Sequence, residues 1–145
     1  MISRRLVGLA AAALFGSAAA HAEDVRKLPP DEPVVVNGLD LVCTGVGEDA
    51  RNDPRWRDYS VRIEFANADA QYLSDAVLAV ATADGQQLFE VTCDSPWILA
   101  NLEPGKYVLA ATYEGIVKTE KFSAPKTGQG RFVVRFPEIA GDKPK

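Results

Sequence analysis

The sequence predicts an all-β protein: an antiparallel β-sandwich of about seven short strands, with one short helical turn near 54–58. Three observations carry this reading. Apolar and polar residues alternate in short runs, turn signals recur roughly every ten residues, and helical periodicity is almost absent. No internal repeat is visible.

Residues 1–22 read as a secretory signal and not as part of the fold. Arg4 and Arg5 form a positive start, residues 6–15 are apolar, and Ala20-His21-Ala22 is a small-x-small site that places cleavage before Glu23. The apolar run is too short to span a bilayer. Without a cysteine at the cleavage site, a lipid anchor is not expected. Ser3-Arg4-Arg5-Leu6 keeps the twin-arginine route open beside general secretion. Either route gives a periplasmic or secreted protein with no membrane insertion after cleavage. The signal takes with it the only histidine and the only methionine. The 123 residues left carry 14 Lys+Arg against 20 Asp+Glu, a formal charge of −6. That length suits one core, and an acidic chain argues against nucleic acid as a partner.

In chain order, 23–33 is charged and holds Pro29, Pro30 and Pro33, so it reads as a solvated extended leader. The sandwich domain is expected over 34–137 and a loose polar tail over 138–145. Val34-Val35-Val36, Asn37-Gly38 and Leu39 to Cys43 make either a hairpin or one strand bent at Gly38. Asp53-Pro54 is a capping residue followed by proline at a first helical position. Tyr59, Val61, Ile63 and Phe65 share one strand face, leaving Ser60, Arg62 and Glu64 on a wet outer face. Asp84-Gly85 joins the strand ending near Thr82 to the strand 87–93, where Phe89, Val91 and Cys93 point to the core. Residues 97–115 read as a hairpin whose runs meet at a type II turn, Glu103-Pro104-Gly105-Lys106. Residues 116–122 follow as an outer strand, and 131–136 close the set with Phe132 and Val134 on one face.

The two mature cysteines, Cys43 and Cys93, are expected to form a disulfide in an oxidising compartment. They lack the C-x-x-C spacing of a redox pair and the three or four ligands of a zinc site. No mature histidine is left for a Ser-His-Asp or Cys-His arrangement. Gly45-Val46-Gly47 lacks the rest of a phosphate-binding fingerprint. Glu90 and Asp94 could in principle pair as glycosidase carboxylates, but a small single-core sandwich is poorly shaped to hold the deep cleft this needs. Glu48, Asp49, Asn52 and Asp53, and more loosely Asn67, Asp69 and Asp75, gather oxygens without calcium-loop spacing. No catalytic residue, metal or cofactor is expected. The most charged loop, 45–58, holds Glu48, Asp49, Arg51, Asp53, Arg55, Trp56 and Arg57. It reads either as a solvated connection or as a partner-binding loop around Trp56. Trp56, Trp97, Tyr59, Tyr72, Tyr107 and Tyr113 could line a binding face, but fit better as core.

Taken together, residues 77–80, Asp84-Gly85, Leu102-Glu103-Pro104-Gly105-Lys106-Tyr107 and Ala111-Thr112-Tyr113-Glu114-Gly115 resemble the carboxypeptidase regulatory-like domain over about 59–136. Gly45-Val46-Gly47-Glu48 with Asp94-Ser95-Pro96 resembles the small exported bacterial proteins that carry this domain alone. The resemblance implies an Ig-like/transthyretin-like sandwich and a structural or binding role. It implies no activity, and it brings no site residues. The expected function is therefore a non-enzymatic exported module with a structural or protein-binding role, its partner another envelope protein. The alternatives are an inhibitor of an envelope-directed hydrolase such as lysozyme, for which an acidic 48–58 loop would be the feature, and a carbohydrate-binding module, which needs coplanar exposed aromatics.

Overall fold

The computed structural model describes residues 25–139. Residues 1–24, which include the expected signal 1–22, and the tail beyond Ile139 lie outside the described residues. Ten strands run in order: β1 (Arg26–Lys27), β2 (Val34–Val36), β3 (Leu39–Thr44), β4 (Val61–Asn67), β5 (Val77–Thr82), β6 (Gln87–Thr92), β7 (Trp97–Ala100), β8 (Gly105–Tyr113), β9 (Ile116–Ala124) and β10 (Gly130–Phe136). Between β3 and β4 lie a one-turn helix, α1 (Glu48–Arg51), and a 3-10 turn (Pro54–Asp58). The turn has Asp53 as its cap and Pro54 at its start, where proline's missing N–H costs nothing.

The strands form two five-stranded sheets, β1-β6-β5-β8-β9 and β10-β4-β7-β3-β2. The protein is an all-β sandwich, as the alternation requires. The inward sets Leu41 and Cys43, Val61, Ile63 and Phe65, Leu78 and Val80, Phe89 and Val91, Ile98 and Ala100, and Val134 and Phe136 meet in one core. Three turns follow their local chemistry. Asn37 and Gly38 (φ 50° and 79°) join β2 to β3, and Glu114 and Gly115 (φ 47° and 79°) join β8 to β9. These paired positive angles twist the turn in the hand that adjacent strands need. Asp84-Gly85 joins β5 to β6 with Gly85 N donating to Thr82 O at 2.9 Å.

Four expectations are corrected here. Ten strands stand among the described residues where about seven are expected, because β1 is added at an edge and β2 and β3 are separate strands. Two edge pairs are parallel, β1 with β6 and β10 with β4. Each joins strands far apart in the chain, so no tight turn is demanded of them. The leader is solvated only in part: β1 sits on β6, Leu28 N donates to Thr92 O at 2.9 Å, and Leu28 is 1% exposed in the core. Its single large apolar side chain finds the open edge between the sheets.

The fourth correction concerns 97–115, which is not a hairpin. β7 lies in the second sheet between β4 and β3, while β8 lies in the first between β5 and β9. Glu103-Pro104 therefore turns a corner between sheets. Gly105 has φ 154°, a positive angle that side-chain-bearing residues rarely adopt and not the ~80° of a type II turn. All four β7 residues are buried, which fits a central strand covered on both faces. Ser60 pins the corner: its Oγ accepts from Leu102 N at 2.8 Å, and its own N–H donates to Asn101 Oδ1 at 3.0 Å. The Tyr107 hydroxyl closes it by donating to Glu103 O at 2.6 Å.

The Cys43–Cys93 disulfide joins β3 of the second sheet to the end of β6 in the first, across a sequence separation of 50.

Candidate functional site

The outer face of the second sheet is not wet. Alternation puts Val42 and Thr44 of β3, Trp97 and Leu99 of β7, Arg62 and Glu64 of β4, and Arg131 and Arg135 of β10 on that side. The 45–59 loop folds over it. Val42, Leu99 and Trp97 pack with Trp56 and Tyr59 into a second apolar cluster separate from the sandwich core. Trp56 and Tyr59 meet edge to face at 6.2 Å, Tyr72 and Trp97 at 6.1 Å. Gly45 lets the loop leave β3 this way. A Cβ there would stand 2.7 Å from the Trp97 ring, and its φ is 109°, so a side chain is refused on both counts. Gln129 ties the far side down, its amide donating to Trp56 O at 2.7 Å and Tyr59 O at 3.0 Å.

Beneath this cover Glu64 is fully buried. Arg131 grips its carboxylate in a two-pronged pair, with Nη2 at 3.0 Å from Oε1 and Nε on Oε2. The Tyr72 hydroxyl donates to Oε1 at 3.1 Å. Arg62 Nε lies 2.9 Å from Oε2, but its N–H is not aimed along that contact and has no hydrogen-bond partner. Bonding to Glu64 raises the Arg131 guanidinium's pKa above its ordinary value. A lone buried carboxylate would be prohibitive, and this one is matched by two cations and a phenol.

Arginines also stack on the aromatics: Arg62 over Trp97 at 4.3 Å, Arg55 over Trp56 at 4.5 Å, Arg51 over Tyr72 at 4.9 Å. Arg51 Nε further donates to Gly45 O at 2.8 Å. Asp53 accepts from Arg55 through both carboxylate oxygens and from the Arg55 backbone, which lowers its pKa and raises that of Arg55. Between loop and sheet lies a cleft of about 220 Å³ lined by Arg51, Asn52, Asp53, Trp56, Arg57 and Arg62, with Gln129 at one side.

No protein-family model matches this chain, and comparison with curated protein sequences gives no match. Among solved structures, BcpA, the major pilin subunit of Bacillus cereus, is similar with a TM-score of 0.41 and 14% identity. The likeness covers 52% of this chain and 27% of that one, so the chain spans well under two thirds of the pilin's length.

The predicted loop residues are thus partly brought together. Arg51, Asp53, Trp56 and Arg57 line one cleft with Arg62, and Arg55 flanks it through Asp53 and Trp56. Glu48 and Asp49 stand apart, exposed in the first turn of α1. Cys43 and Cys93 are bonded elsewhere, under the opposite face of β3. One alternative reading is corrected. Trp56 and Trp97 are 4% and 5% exposed, so neither tryptophan offers its ring face to a sugar. The 48–58 loop sets Arg51, Arg55 and Arg57 against Glu48, Asp49, Asp53 and Asp58, and Arg62 and Arg131 join the arginines from the sheet. Sequence reasoning missed Arg62, Glu64, Tyr72 and Arg131 as partners. The Arg-x-Glu on an otherwise regular strand was visible, but the bulky cover that buries it was not.

Proposed function

We propose that this chain is an exported, non-enzymatic β-sandwich module of the carboxypeptidase regulatory-like kind, which docks another envelope protein through the outer face of its second sheet. The observation that carries the reading is the arginine-rimmed cover over two buried tryptophans, with Glu64 neutralised beneath it. Arginine is among the residues that anchor protein interfaces, because its guanidinium makes directed, paired hydrogen bonds, and Arg51, Arg55, Arg57 and Arg131 stand exposed on this rim. The inter-sheet disulfide and the signal-like segment 1–22 support residence in an oxidising compartment outside the cytoplasm. The corner at Leu102 to Tyr107 supports the family reading, since Pro104, Gly105 and Tyr107 each have a structural task there.

Cross-linking in intact cells followed by affinity capture and mass spectrometry tests the reading. A specific envelope protein should be recovered, with cross-links mapping to 51–62 and 129–135. Repeated recovery of monomer alone, or cross-links confined to the first sheet, overturns it.

A further inference from the structure

We propose that the cleft between the 51–57 segment and β4 is a carboxylate pocket, taking the side chain of one glutamate or aspartate on the docked partner. The inference rests on the docking reading above and names what the face recognises.

Three guanidinium groups line the cleft, from Arg51, Arg57 and Arg62, against one carboxylate, Asp53. That carboxylate is already taken by Arg55 through both oxygens. Arg62 is drawn towards Glu64, but Glu64 is also held by Arg131 and Tyr72, so its acceptor capacity is shared among three donors. Arg57 has no hydrogen bond or ion pair among the described residues and stands exposed at the mouth. The pocket therefore presents unmatched positive charge on an acidic protein.

A second observation points the same way. Trp56, 4% exposed, lines the cleft, and its indole Nε1 has no hydrogen-bond partner; neither has Arg62 Nε. The indole is a donor that an anion reaching it would satisfy, while Arg62 Nε already lies 2.9 Å from Glu64 Oε2. Guanidinium forks suit a planar carboxylate, which can take two parallel bonds from one arginine and a third from its neighbour. The volume of about 220 Å³ admits a side-chain carboxylate. A folded partner can present such a side chain from any exposed position, whereas it has one chain terminus.

The test uses the mature chain, isotopically labelled, titrated with end-blocked Gly-Glu-Gly, end-blocked Gly-Gln-Gly, and Gly-Gly-Gly with a free C-terminus. The glutamate peptide should shift the Trp56 indole N–H and the Arg57 and Arg62 Nε–H signals saturably, and the glutamine peptide should not. Arg57→Gln should weaken binding by about tenfold or more, as loss of a charge-assisted bond demands, with an unchanged melting temperature. An equal response to the glutamine peptide, or affinity unchanged in Arg57→Gln, overturns the proposal. Stronger binding of the free C-terminus overturns the side-chain assignment. Should cross-linking still place a partner on this face while the glutamate peptide leaves Trp56 unmoved, the pocket fails and the docking reading stands. Peptide binding without any captured partner has the reverse meaning.

Discussion

Glu64 sits between Ile63 and Phe65 in sequence and faces away from both. Its burial is tolerable only because Arg131, Arg62 and Tyr72 converge on it. Replacing it with alanine leaves two guanidinium groups competing for water beneath the cover. Glu64→Ala should cost about 3 kcal/mol, the low end for a broken buried pair because Arg131 retains solvent. Glu64→Gln should cost less, since it keeps an acceptor for Tyr72; urea denaturation measures both. A second residue-scale feature is the pair Asp75 and Asp94. Their side chains hydrogen-bond, which raises the pKa of Asp75 and lowers that of Asp94, with Lys27 at 3.0 Å adding to the latter. The raised group contributes stability below its unfolded pKa and loses it as pH rises through the folded value. Asp94 contributes above its unfolded pKa and loses its share in more acid solution. Asp75→Asn should therefore match the wild type near pH 3 and melt higher once Asp75 ionises, above the ordinary carboxylate range near 4. Asparagine also accepts the positive φ of 72° that Asp75 adopts. Melting curves across pH 3–7 check this, and a constant difference between the two proteins would contradict it.

At the scale of elements, β1 shows what composition alone misreads. The 23–33 segment is charged and proline-containing, and both traits are true of it: Arg26 and Lys27 are exposed. Yet the one leucine among them reaches the core, and Pro30 bridges to Cys43. Leu28→Ala should destabilise by about 2–4 kcal/mol, as for other fully buried leucines, where a solvated leader would show no change. Guanidinium denaturation decides between these. The β9 edge was legible, because Lys118, Glu120 and Lys121 are the charges that keep an open strand from pairing with a neighbour. So was the hairpin at Asp84-Gly85, whose turn chemistry is local; Asn37-Gly38 leaves a hairpin and a bent strand open in sequence, and the structure forms the hairpin. The 97–115 corner was not, because proline and glycine announce a change of direction without saying which sheet receives the next strand.

Over the whole molecule, the legible part was what two-residue periodicity and turn residues encode: an all-β sandwich, inward Phe89, Val91 and Cys93, and the Cys43–Cys93 bond. What escaped needs knowledge of strand order. Trp97 lies beside Thr44 and Glu64 only because β7 enters between β3 and β4, and no local signal specifies that insertion. The disulfide crosses the core between sheets. Its reduction should lower the unfolding free energy by about 4 kcal/mol, from the chain entropy released in the unfolded state. Urea curves with and without reductant measure it. Alkylation of either cysteine in the native protein without reductant would contradict the bond.

The placement of cations has a practical consequence. Among the described residues, Arg51, Arg55, Arg57, Arg62, Arg131 and Arg135 gather on the second sheet's outer side, and Arg26 on β1 is the one arginine of the first sheet. Lys27, Lys106, Lys118 and Lys121 lie on strands of the first sheet, and Lys126 follows β9. Amine-directed coupling through these lysines holds the molecule by one side and presents the other to solution. Dicarbonyl reagents, which seek guanidines, mask mainly the opposite side, Arg26 excepted. Surface chemistry chosen for a sensor chip or a resin thus decides which sheet a captured protein can see.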